Sequence, residues 1–255
     1  MPPADIAALV FFALCWLFYE PLLRALSGGG VLNSDLRVIR GEWMRQMARR
    51  DSRFMDGQLL GHALNSASFF ASSNLLLIAA AAGVLFGGEK SFASVSSLEL
   101  VQTSTRMLFE LQMAVILIVL SRGLLAFIWA IRQMNYCLTI FGATPEGPDV
   151  DPAMRDAFGE AGTQVLNPAL SAFNSGVRGY YFALAAAAWM FGPASMALAT
   201  VGAVGLLVWR QRRSPSAKAI RDLRAKLEAR DRDRGQVNLS PSAVVEPTGP
   251  GGQPS

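Results

Sequence analysis

The apolar residues of this chain gather into four long blocks, separated by charged or turn-rich segments. Ile6 to Leu26 is the first, interrupted late by Glu20, Pro21 and Arg24. Ala63 to Phe86 follows, with the uninterrupted core Leu75 to Ala82. Met107 to Ile131 is the third and has Arg122 inside it; Tyr180 to Trp209 is the fourth and carries Gly192-Pro193 near its middle. A membrane span needs ~20 apolar residues, because the hydrocarbon core is ~30 Å thick and a helix rises ~1.5 Å per residue. Lipid offers no partner for a backbone amide, so each block must be helical. The pattern predicts an all-α, multi-pass transmembrane helical bundle over residues 1–213, with spans at about 6–26, 63–86, 107–131 and 180–209. A basic cytoplasmic helix over 214–234 and a disordered tail over 235–255 are expected after it.

Charge orients the blocks, because Lys and Arg collect on the cytoplasmic side of short loops. The first five residues contain neither, whereas a signal peptide begins with a positive region; the first block therefore reads as an uncleaved helix. Seven basic residues follow it: Arg24, Arg37, Arg40, Arg45, Arg49, Arg50 and Arg53. Only Lys90 and Arg106 lie between the second and third blocks, three arginines precede the fourth, and ten basic residues follow Trp209. An outside N-terminus places the seven inside. A single kinked crossing by the fourth block would strand the ten outside, whereas a hairpin at Gly192-Pro193 returns them to the cytoplasm. The charge rule favours the hairpin, and the expected location is the bacterial inner (plasma) membrane.

Gly28-Gly29-Gly30 reads as a hinge, since no Lys-Ser/Thr follows it as in a phosphate loop. Beyond the capping residues Asn33, Ser34 and Asp35, a stripe of Leu36, Ile39, Trp43, Met44 and Met47 opposes Arg37, Arg40, Arg45 and Arg49. This is a basic amphipathic helix at the headgroup level. It binds anionic lipid or a partner, or else docks on the bundle as an ordinary loop. Trp43, Arg45, Arg132, Asn135 and Arg178 are the candidate interfacial residues. In the tail, Asp222–Lys226 and Glu228–Arg232 are acid-to-base pairs four apart, which suit a solvated helix. Asp149, Asp151, Asp156 and Glu160 form a solvated acidic patch without calcium-loop spacing.

Composition narrows the chemistry. The chain of 255 residues is 52% hydrophobic and only 16% charged, against ~25% charged in an ordinary soluble domain. One histidine and two cysteines exclude a disulfide scaffold and disfavour a His-based metal site. No nucleophile-and-base set or cofactor motif occurs, so an enzyme is not expected and no cofactor is assigned. The net charge of +4 comes without aromatic interleaving in the tail, so anionic headgroups on the cytoplasmic side, and not nucleic acid, are the expected partners.

Ionisable groups inside a bilayer are costly and mark sites. Glu20 and Arg122 lie at matched depth on helices that run the same way, which predicts that they pair. Asn65, Ser72 and Asn74 add a polar stretch to the second block. They join Glu20 and Arg122 as a candidate intramembrane polar site, with helix packing as the plainer role. Gly83-xxx-Gly87 is a common close-packing pattern, His62 reads as a surface residue, and Cys15 and Cys137 read as free thiols.

Several phrases carry a family likeness. They are Gly41-Glu42-Trp43-Met44-Arg45-Gln46-Met47 with Asp51 and Asp56-Gly57-Gln58; Phe69-Phe70-Ala71-Ser72-Ser73; and Trp129 to Cys137. Gly142-Ala143-Thr144-Pro145 and Phe173 to Phe182, with Trp189 and Pro193 after them, complete the set. Together the phrases resemble the uncharacterised multi-pass membrane family of bacteria and plants catalogued as domain of unknown function five hundred and ninety-nine. The likeness covers roughly the first 215 residues. It implies a multi-pass membrane protein and brings no activity, cofactor or catalytic residue. The expected function is that of a non-catalytic helical bundle with a scaffold or assembly role, partnered by a second copy or another membrane protein. The alternative is a transporter or channel for ions or small solutes, working as an oligomer.

Overall fold

A computed structural model describes residues 1–27, 32–98, 102 and 105–239, apart from the side chains of 22, 24–27 and 234–239. The glycine hinge and the tail beyond 239 lie outside the described residues. The helices are α1 (Pro3–Ser27), α2 (Leu32–Arg49), α3 (Phe54–Phe86), α4 (Gly88–Ser96) and α5 (Arg106–Ala143). They continue with α6 (Pro152–Ala187), a 3-10 turn (Ala188–Phe191), α7 (Pro193–Arg212) and α8 (Pro215–Leu239). The described fold is all-α. α8 runs to Leu239, so the first residues assigned to the disordered tail are helical.

Four stretches are long and apolar enough to cross a membrane: Pro3–Pro21, Phe54–Phe86, Arg106–Ala143 and Pro193–Asp233. The last is long and bends at Arg213–Ser214, where α7 gives way to α8. α6 is not among them, yet it packs against α5, α2 and α7. The apolar blocks understate two helices, since α3 begins well before Ala63 and α5 runs well past Ile131. With 33 and 38 residues they are ~50 and ~57 Å long, more than the ~30 Å of a hydrocarbon core.

The surplus length builds a second core. One cluster joins α1, the first half of α5, the end of α6 and α7 around Phe12, Val119, Phe182 and Trp189. The other joins α2, the start of α3, the end of α5 and the start of α6 around Met44, Met47, Leu60, Met134 and Leu166. The stripe on α2 is thus spent on the bundle, with Met44 and Met47 fully buried. Gly159 and Gly162 of α6 admit it, for a Cβ at either would meet Met44 or Arg45 atoms at 3.0–3.2 Å.

α6 and α7 form a hairpin. The Tyr181 hydroxyl accepts a 2.7 Å hydrogen bond from Arg210, although 29 residues of unbroken helix would hold the two ~43 Å apart. The turn rests on Gly192, whose φ of +106° favours glycine, and on Pro193 at the start of α7, where a missing N–H costs nothing. A Cβ on Gly192 would also run into the Gln102 side chain.

α8 is docked as well as solvated. Arg224 bonds Asp35 at 2.6 Å, Arg230 bonds Glu42 at 2.9 Å and Arg45 bonds Asp231 at 3.2 Å. The partners rise in number together, so α8 runs parallel to α2. The expected Asp222–Lys226 and Glu228–Arg232 ion pairs are not formed; Glu228 pairs instead with Arg224 at 2.7 Å. The reason is that Asp35 draws Arg224 to the α2 side of the helix, beside Glu228.

Candidate functional site

The polar groups of α6 lie on one face. Gln164, Asn167, Ser171, Ser175 and Arg178 recur at intervals of three and four, the repeat of a helix stripe. α2 presents Asn33, Arg37 and Arg40 at similar spacing. Between these faces and the end of α1 lies a cavity of about 1240 Å³. A smaller recess of about 180 Å³ continues between α1 and α5 over α6, past Leu17, Val119, Arg122 and Phe182. Tyr19, Glu20, Ser175 and Arg178 line both spaces.

The expected Glu20–Arg122 pair is not what the structure forms. Glu20 accepts a hydrogen bond from Arg178, and Arg122 lies over the Trp16 ring, 5.4 Å from its centroid. Depth was matched, but α6 brings a closer cation to Glu20 than α5 does. Arg178 also sits 5.6 Å from the Tyr19 ring centroid. It is therefore a wall residue of both spaces.

The other expected residues scatter. Asn74 is buried and donates to the Leu120 carbonyl at 2.8 Å, so it fastens α3 to α5. Asn65 and Ser72 are exposed on α3, away from both spaces. Trp43 is half-buried and donates at 2.7 Å to Asp56, which also pairs with Arg50 at 2.5 Å. Arg45 bonds Glu42 at 2.7 Å. Arg132 is exposed and donates to the Tyr136 hydroxyl, and Asn135 is exposed with its carbonyl bonded by Thr139. Cys15 and Cys137 are free thiols and His62 is exposed.

Three wall residues were not anticipated. Arg40 is half-buried; it donates at 3.3 Å to Asn33, which in turn donates to Ser171. Burial pushes its guanidinium down to about 10, still charged at neutral pH. Asn167 is 8% exposed, and its Oδ1 has no hydrogen-bond partner; Gln211 Oε1 has none either. The stripe from Gln164 to Arg178 was the available signal, hidden because it lies before the fourth apolar block, which begins at Tyr180.

Burial would push the Glu42 carboxyl up, but hydrogen bonds from Arg45, Gln46 and Arg230 outweigh it and hold the group down at about 2. Glu42 is thereby charged throughout the neutral range. No curated protein and no solved structure matches the chain. The family model described as "Protein of unknown function, DUF599" matches residues 7–216, and with most of its length so covered the chain belongs to that family.

Proposed function

We propose that the protein is a non-catalytic, multi-pass scaffold of the bacterial inner membrane, with its N-terminus outside and both α2 and α8 in the cytoplasm. One observation carries this reading: the polar space is blind. Beyond Arg122 and Arg178 the bundle is closed by Phe12, Val119, Phe182 and Trp189, none more than 2% exposed. Phe182 packs edge-on against Phe12 and Tyr19. A water-filled path would need polar groups or a gap at this layer. On the other side, α2 and α8 present a charged, salt-bridged face suited to anionic headgroups or to a protein partner.

A second reading, a transporter open to one side, has the paired Glu20 and Arg178 inside the cavity in its favour. Proteoliposomes separate the two. Purified protein should leave the leak of K⁺, Cl⁻ and phosphate unchanged against empty vesicles. A protein-dependent flux that saturates and falls in Arg178→Gln would replace the scaffold with the transporter.

A further inference from the structure

The walls of the large cavity carry more positive charge than they neutralise. Arg37, Arg40, Arg45 and Arg178 face Glu20 and Asp231, and both acids are engaged, by Arg178 and Arg45. Among the described residues no carboxylate pairs with Arg37 or Arg40. An arginine removed from water without a counter-charge is costly. Arg40 has only the Asn33 amide oxygen in return.

The same walls also hold acceptors that lack donors. Asn167 Oδ1 and Gln211 Oε1 have no partner, and Asn167 is more than nine-tenths buried. Unmet buried acceptors are rare and ask for an explanation. An anion without donors, such as chloride or sulfate, would satisfy the arginines and leave the amides unmet; a polyol would do the reverse. An anion that carries its own donors satisfies both, and at a membrane surface the abundant class of that kind is a phosphate ester with hydroxyl or ammonium groups.

We infer that this cavity is a binding site for such a phosphate ester, the polar end of a glycerophospholipid or a free glycerol phosphate. Arg40, with Arg37 nearby, takes the phosphate oxygens, and Asn167 takes a hydroxyl or ammonium group. This goes beyond the scaffold reading and does not depend on it, since a bundle that leaks could still hold the ligand.

The test uses full-length protein, delipidated in uncharged detergent, with no gradient. One arm adds phosphatidylglycerol, phosphatidylethanolamine or phosphatidylcholine and measures retained phosphorus; the other measures binding of labelled glycerol phosphate and inorganic phosphate by equilibrium dialysis. Phosphatidylglycerol and phosphatidylethanolamine, or glycerol phosphate, should bind; phosphatidylcholine, which has no donor, should bind less. Arg40→Gln should weaken binding about tenfold or more, the worth of one charge-assisted hydrogen bond. Asn167→Leu should weaken glycerol phosphate but not inorganic phosphate, and it keeps the proposal testable if Arg40→Gln does not fold. Arg106→Gln, which removes the same charge at the opposite end of α5, should change nothing. Binding in the lipid arm alone means a site open to the bilayer; binding in the free arm alone means one open to water. Binding in neither arm, or equal losses in Arg40→Gln and Arg106→Gln, overturns the inference.

Discussion

The indole N–H of Trp189 donates a 2.7 Å hydrogen bond to Oδ1 of Asp5, joining residues 184 apart in sequence. Both are buried, Trp189 completely. The bond ties the first turn of α1 to the point where α6 ends, and so sets the height of α1 against the α6–α7 hairpin. Trp189→Phe keeps most of the packing but leaves a buried carboxylate short of a donor. It should cost about 2 kcal/mol in thermal unfolding in detergent. Asp5→Asn retains an acceptor and should cost less. Equal losses in the two would mean that the carboxylate charge, not the hydrogen bond, holds the ends together.

Glu20 and Arg178 should couple, and Glu20 and Arg122 should not. In a double-mutant cycle, Glu20→Gln with Arg178→Gln is expected to fall short of the summed single losses by about 1 kcal/mol. Glu20→Gln with Arg122→Gln should be additive. Coupling of the second pair would mean that Arg122 leaves Trp16 for the carboxylate.

Gly176 of α6 lies against the Phe127 ring of α5. A Cβ there would lie 2.6 Å from the Phe127 ring, whereas one at Gly202 meets nothing within 4 Å. Gly176→Ala should therefore destabilise by about 1–3 kcal/mol. Gly202→Ala should be neutral or gain up to about 1 kcal/mol from helix propensity. Melting temperatures of the two variants that move the same way would contradict this contact.

Acid should release part of the α2–α8 contact. The Glu42 carboxyl titrates at about 2 in the folded chain and at ~4.3 when unfolded. A depressed folded pKa adds stability that is complete above the unfolded value and disappears as pH falls through the folded one. The gap in melting temperature between wild type and Glu42→Gln should thus close between about pH 4.3 and 2. A gap constant from pH 7 to 2 would show that the charge on Glu42 does not hold α8.

The hairpin fixes which ends share a side. In a variant without Cys15 and Cys137, a cysteine introduced by Ser97→Cys should react with impermeant thiol reagents in intact cells. One introduced by Ser216→Cys should not. The opposite pattern would invert the proposed orientation, and labelling of both would contradict the hairpin itself.

Much of this architecture could be read from residue order. The all-α class, the break at Gly192-Pro193 and the stripe on α2 follow from hydropathy and from glycine and proline chemistry, which act locally. The Glu20–Arg122 pairing failed because depth along a helix says nothing about azimuth, and azimuth decides that Arg178 reaches Glu20 first. Asn65, Ser72 and Asn74 look alike in sequence, yet only Asn74 faces α5. Arg40 and Asn167 were passed over for a related reason. Each is ordinary by itself, and only the packing of α2 across Gly159 and Gly162 turns their two faces toward one space.

α6 is too polar to rank among the helices that would enter a membrane unaided, and this bears on how the bundle is made. During synthesis it follows α5 and precedes α7. Its stripe from Gln164 to Arg178 finds polar partners only where α1 and α2 already stand beside it. α5 supplies a packing surface through Gly123 and Phe127, α1 supplies Glu20, and α7 then seals the far edge. The polarity of α6 thus makes its place depend on helices that come before it in the chain. The same α6 placed behind an unrelated apolar segment would keep its polar stripe and lose the partners that meet it.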